Sequence, residues 1–163
     1  MSLELEFLEN YEKSLKEGTS RLFEVPSKEP VETGQIRELW CVPVERFLIL
    51  SEDTTGLYIT VPLTSYIQLL PRDTLFFELK GQGLLLGVVP VWDYLRQEVI
   101  ENYSKVIGKV SEDDLKKVKE LLKTGFKDKR WAVKRFLRLN SKRWVALTMG
   151  SLLVQAELAE EEQ

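Results

Sequence analysis

The sequence predicts an α+β fold, a small and strongly bent antiparallel β-barrel with flanking helices. Three observations predict it. Five runs of strand length, rich in β-branched and aromatic residues, lie close together between residues 35 and 92. Turn-forming residues separate most of them, which suits hairpins rather than long crossovers. Apolar residues at helical spacing lie before and after this arc.

Residues 3–16 read as a helix, because Leu8, Tyr11 and Leu15 fall on one side and glutamates on the other; Gly18 is its expected stop. Pro26 and Pro30 then mark a linker. The strand runs are Gln35–Val42, Arg46–Ser51, Leu57–Leu63, Thr74–Leu79 and Leu85–Trp92. Pro43, Asp53-Thr-Thr-Gly56, Pro71-Arg-Asp73 and Lys80-Gly-Gln-Gly83 carry the turns between them. Pro62 and Pro90 sit inside runs, which points to strand ends, bulges or edges there. Ser111 is an N-cap, with Glu112, Asp113 and Asp114 in the first turn where the helix dipole favours negative charge. Those carboxylates point in different directions, so capping explains them better than a shared metal ion. Gly125 is the expected stop of this helix. Two further helices are expected, Lys129–Leu139 and Lys142–Leu158, hinged at Asn140-Ser141. The domain plan is therefore residues 1–32 as helix and linker, 33–125 as barrel, and 126–163 as a helical extension.

Composition narrows the chemistry. The 163 residues suffice for one core, and 44% apolar with 30% charged residues is the make-up of a folded soluble domain. There is no histidine and one cysteine, Cys41, so imidazole bases, multi-cysteine zinc sites and internal disulfides are excluded. Catalysis would fall to carboxylates, Arg, Lys, Tyr, Ser or Thr; no metal and no cofactor is expected. The N-terminus is acidic without an uninterrupted apolar run, and Trp144–Ala156 is shorter than the roughly 20 apolar residues of a spanning helix, so a cytoplasmic location is expected.

Four signatures carry a resemblance: Arg46-Phe-Leu-Ile-Leu-Ser51, Pro62-Leu-Thr-Ser65, Gly83-Leu-Leu-Leu with Asp93-Tyr-Leu-Arg96, and Ile107-Gly-Lys-Val-Ser111 before a helix, with Gly34-Gln-Ile36 ahead of them. In this order the chain resembles the MazF/PemK family of endoribonuclease toxins, over the arc from Gly34 to Lys123. The resemblance implies an SH3-like barrel with a packed C-terminal helix, a homodimer, an antitoxin protein as partner, and cleavage of single-stranded RNA without metal. It implies Arg46 and Thr64 as the catalytic pair, with Ser65 and Arg96 as substrate contacts. Attack by a ribose 2′-OH requires a charged phosphorane to be stabilised, and a guanidinium offers forked donors for its oxygens. An arginine's pKa lies far above neutrality, so charge stabilisation suits Arg46 better than proton transfer. The family's long loop before its arginine is reduced here to Pro43-Val-Glu45, which predicts a site open to water.

Plainer readings stand beside these. Arg46 could be a solvated charge blunting a sheet edge, Thr64 and Ser65 could bond a turn backbone, and Arg96 could pair with Asp93. Trp40 and Trp92 are expected as core or dimer contacts. Residues 127–143 hold eight basic side chains and one acidic, around Val133, Phe136 and Leu137. Such a segment can bind RNA phosphates, lie on an anionic membrane surface, or be the solvated face of a packed helix. The apolar run from Trp144 to Val154 is expected to be buried. A non-catalytic barrel binding a protein or nucleic acid is the alternative to a nuclease.

Overall fold

The computed structural model describes residues 3–17, 22–41 and 43–161, with side chains as far as Leu147. In chain order these form α1 (Leu3–Glu17), β1 (Gln35–Leu39), β2 (Glu45–Thr54), β3 (Leu57–Thr64), a 3-10 turn (Ile67–Leu69), β4 (Phe76–Leu79), β5 (Leu84–Val88), β6 (Asp93–Arg96), α2 (Gln97–Tyr103), β7 (Ser104–Lys109), α3 (Glu112–Thr124) and α4 (Trp131–Glu161). The α+β class is as the sequence predicts: a curled antiparallel sheet makes a half-barrel, and helices flank it.

The strand order is β4-β5-β3-β2-β1-β7, and β6 joins β5 along the same edge of β3. β3 can serve both because β6 pairs with Leu57–Thr60 and β5 with Leu63 and Thr64. Register shifts between Ile49 and Ser51, and again between Glu52 and Thr54, bend the long β2–β3 hairpin. Close approaches tighten the curl. A Cβ on Gly108 of β7 would stand 2.6 Å from Leu79 of β4, and one on Gly87 would stand 2.1 Å from Leu70.

Alternation sorts the side chains into two faces. Leu48, Leu50, Val61 and Leu63 point inward and pack with Leu115, Val118 and Leu121 of α3. The other face, with Leu39, Phe47 and Ile49, is covered by Val99 and Ile100 of α2 and by Trp144 and Leu147 of α4. Trp144 is fixed there by its Nε1–H donating to Thr60 Oγ1 at 3.1 Å and by its ring 5.4 Å from that of Phe47. A third cluster joins Leu8 and Tyr11 of α1 to Phe136 and Val133 of α4 over the 3-10 turn. Arg37 is wholly buried in β1 and well satisfied: its guanidinium donates to Ser104 Oγ and Gln35 Oε1, both at 2.8 Å, and to the carbonyls of Glu29 and Ser104. It ties the linker and the start of β7 onto the sheet.

The elements differ from expectation in four places. α4 runs unbroken from Trp131 to Glu161, without a hinge at Asn140-Ser141, because Asn140 Nδ2 donates to the Phe136 carbonyl at 2.9 Å and so sits inside the helix. β1 ends at Leu39 and β5 at Val88, both short of the predicted runs; Val42 and Gly18 lie outside the described residues. β6, α2 and β7 had no predicted counterpart as elements. Trp92 is half exposed and stacks edge-on with Tyr94 at 5.3 Å, so it is not core. By contrast, Ser111 caps α3 as read, accepting from the Asp114 N–H at 3.2 Å, and Gly125 ends it with φ at 75°.

Candidate functional site

The register dictates where the two proposed catalytic side chains go. Arg46 lies opposite Leu63 on one side and Glu38 on the other, so it belongs to the inner face of the half-barrel. β2 lies between β1 and β3, so Arg46 does not guard a sheet edge. Thr64 is one residue beyond Leu63 and belongs to the opposite face. Both nevertheless line one cavity of about 190 Å³, because that cavity lies at the strand ends where the two faces meet. Pro43, Val44 and Glu45 form one wall, and Ser65 and Tyr66 another.

The short loop leaves part of the cavity wall to other elements. Tyr11 and Ser14 of α1 and Asn140 of α4 complete its lining, so two helices from opposite ends of the chain replace the missing loop as cover. Tyr11 is seated by edge-on contacts with Tyr66 at 5.2 Å and Phe136 at 4.7 Å.

Two lining atoms are left without a hydrogen bond. Tyr11 Oη and Arg46 Nε are both buried and find no partner among the described residues. Orphaned buried donors are costly, and both of these belong to residues that line the cavity. Arg46 Nε has only an ion pair with Glu38 Oε2 at 3.5 Å. Thr64 Oγ1 accepts from the Tyr66 N–H at 3.1 Å, as its plainer reading has it, and its own proton remains to donate.

Glu45 is the lining residue that sequence reasoning missed. Its carboxylate accepts from Arg143 Nε, and Arg143 also donates to the Pro43 carbonyl at 2.7 Å. Burial pushes the Glu45 carboxyl above its ordinary value, and the Arg143 charge pulls it back by less. Burial first, then the Glu45 charge, raises the Tyr11 hydroxyl too, so it stays a neutral donor. The same causes push the Cys41 thiol up to about 11. Glu45 stood in plain sight beside Arg46, but nothing local distinguished a buried carboxylate from a solvated one.

Arg96 is not brought to this place. It pairs with Leu57 at the other end of β3, seven residues from Thr64 and so about 23 Å along the strand. Its expected pairing with Asp93 is also disfavoured, since residues three apart on a strand face opposite ways. The basic segment is likewise divided. Arg130 pairs with Asp128 and Glu4, Arg135 with Glu12 and Arg143 with Glu45, while Lys134, Arg138 and Lys142 make an exposed stripe on α4 opposite its packed side. Within the run from Trp144, Trp144 and Leu147 are buried and Val145 is half exposed; the side chains beyond Leu147 lie outside the described residues. Among the described residues no cluster of acidic, cysteine or histidine side chains could hold a metal, and no helix is long and apolar enough to cross a membrane. No known family model matches the chain, and no curated protein is significantly similar to it.

Proposed function

We propose that this protein is a metal-independent endoribonuclease resembling the MazF/PemK toxins, with an SH3-like barrel whose Arg46 cavity seats one phosphoryl group of single-stranded RNA. One observation carries the reading. A guanidinium from the start of β2 and a hydroxyl from the end of β3 line the same small cavity, and the guanidinium Nε is without a hydrogen-bond partner. A volume of about 190 Å³ suits a phosphoryl group and not a whole nucleotide.

In the reaction the ribose 2′-oxygen bonds to phosphorus as the bond from phosphorus to the 5′-oxygen breaks, leaving a cyclic phosphate. Arg46 donates to the non-bridging oxygens, and Thr64 adds a donor. The 2′-OH must lose a proton and the 5′-oxygen must gain one. Glu45, its carboxyl raised above the ordinary value by burial, is the lining group that can take a proton, and neutral Tyr11 is a donor at the same cavity. On this reading the chain also forms a homodimer and is held in check by an antitoxin protein, with Ser65 beside the phosphate and Arg96 contacting a more distant part of the RNA.

The test is incubation with a long mixed-sequence RNA in EDTA. Cuts ending in cyclic phosphate should appear, and Arg46→Ala should slow them by roughly 10²- to 10³-fold. Intact RNA with the wild-type protein would overturn the nuclease reading. The covering of the cavity by Tyr11, Ser14 and Asn140 favours a second reading, a non-catalytic barrel of the same kind that binds a protein or nucleic acid. RNA bound but uncut would select it.

A further inference from the structure

We infer that the pocket beside the Arg46 cavity is a nucleobase subsite that takes an unpaired guanine, an inference that rests on the RNA reading above. The pocket, about 290 Å³, is lined by Phe23, Glu38, Trp40, Cys41 and Val44. Val44 is its common wall with the Arg46 cavity, and the Glu38–Arg46 ion pair bridges the two. A phosphoryl group on Arg46 therefore puts the attached nucleoside next to these aromatic rings.

The walls suit a flat ring. Trp40 follows Glu38 by two residues, so both share the face that carries Arg46. Phe23 is held alongside by its N–H donating to the Trp40 carbonyl at 2.8 Å. Phe23 is 43% and Val44 49% exposed, leaving apolar surface that a stacked base would cover. Cations flank it: the register sets Arg46, Glu38 and Lys105 side by side across β2, β1 and β7, and Lys105 Nζ stands 6.0 Å from the Trp40 ring centroid. Arg46 and Lys105 can hold the phosphates on either side of the base.

Glu38 selects among bases. Its ion pair with Arg46 is long and makes no hydrogen bond at Nε, so the carboxylate keeps acceptor capacity for a ligand. A carboxylate offers acceptors only. Guanine alone presents two adjacent donors, N1–H and the N2 amino group, on its Watson–Crick edge. Adenine and cytosine set an acceptor nitrogen beside the amino group, and uracil sets carbonyls on both sides of its N–H, which a carboxylate repels.

The test uses fluorescence anisotropy with labelled 2′-O-methyl pentanucleotides, which lack the 2′-OH and cannot be cleaved. The probes are UUGUU, the same strand with inosine at the centre, and UUUUU. UUGUU should bind tightest, with inosine, which lacks the N2 amino group, about tenfold weaker. Trp40→Ala and, as a milder variant, Phe23→Ala should each weaken UUGUU by roughly tenfold. Glu38→Gln should abolish the preference for guanine over inosine, and Arg46→Ala should weaken all three probes alike. Equal affinity for the three, with sensitivity to Arg46 kept, would overturn the guanine subsite and leave the RNA reading standing. No binding of any probe would remove both. A Val44→Asp variant that turns a dimer into a monomer without changing oligonucleotide affinity would assign the patch to a second copy of the chain and overturn the inference.

Discussion

At the scale of single residues, the buried Glu45–Arg143 pair sets the character of the cavity. Replacing Arg143 by Leu strands the Glu45 carboxylate in the interior, which should cost about 3–5 kcal/mol in urea unfolding. The pH dependence follows from the direction of the Glu45 shift. Its folded value is raised above the unfolded one, so the unfolded chain gives up this proton first as pH rises. The stability of the wild type relative to Glu45→Gln should therefore fall from the ordinary carboxylate range upward; a relative stability that rises with pH would mean the Arg143 charge outweighs burial. Cys41 gives a separate check. With its thiol pushed up to about 11 and its side chain buried, it should react with a disulfide reagent at pH 8 far more slowly in the native protein than in urea. The sequence showed Arg46 and Thr64 as a pair worth testing, yet gave no sign that Tyr11 or Glu45 would share their cavity. Tyr11 comes from more than 30 residues away in the chain, and whether Glu45 is buried depends on Arg143, nearly 100 residues on, so no local pattern encodes either.

Individual elements were legible to the extent that their signals are local. α3 has a cap, an acidic first turn, an apolar stripe and a terminal glycine, and each reads within a few residues. Ser111→Ala should cost about 1 kcal/mol by losing the bond from the Asp114 N–H, measured as a lower melting temperature without change of fold. α2 is seven residues long, too short to show a helical period, and β6 and β7 are shorter still. α4 was divided in two because Asn140 and Ser141 look like a break, whereas Asn140 finds a carbonyl one turn back. Gly87 shows the limit of reading elements alone. Nothing in β5 demands glycine, but a methyl group there would meet Leu70 and Phe76, so Gly87→Ala should destabilise by about 1–3 kcal/mol.

For the whole molecule, the decisive feature is that α1 and α4 close the cavity while belonging to the core. Deleting α4 would remove Val133, Phe136 and Trp144 and expose their partners Leu8, Tyr11 and Phe47, so truncation is a poor way to open the site. Surface ties offer a cleaner one. Arg130 holds Glu4, and Arg135 holds Glu12, across the α1–α4 contact. Glu4→Gln combined with Glu12→Gln should loosen α1 and raise the rate of RNA binding or cleavage several-fold; an unchanged rate would show that α1 is no gate. Asp128 is held below the usual carboxylate range chiefly by hydrogen bonds from Arg130, so the stability it lends is present above the ordinary aspartate value and lost as pH falls toward its lowered one.

The sequence by itself determined the α+β class, the first helix, five of the strands in type and order, and the capped helix after them. These follow from periodicity, turn residues and caps, whose physics acts over a few residues. Only the tertiary structure decided that one long helix closes the chain, that Arg37 is an internal clasp, that Arg96 lies at the far end of its strand, and that a tyrosine, a buried carboxylate and a pair of covering helices surround Arg46. Those outcomes depend on which distant surfaces meet when apolar faces leave water, and a linear pattern of residues specifies the faces without naming their partners.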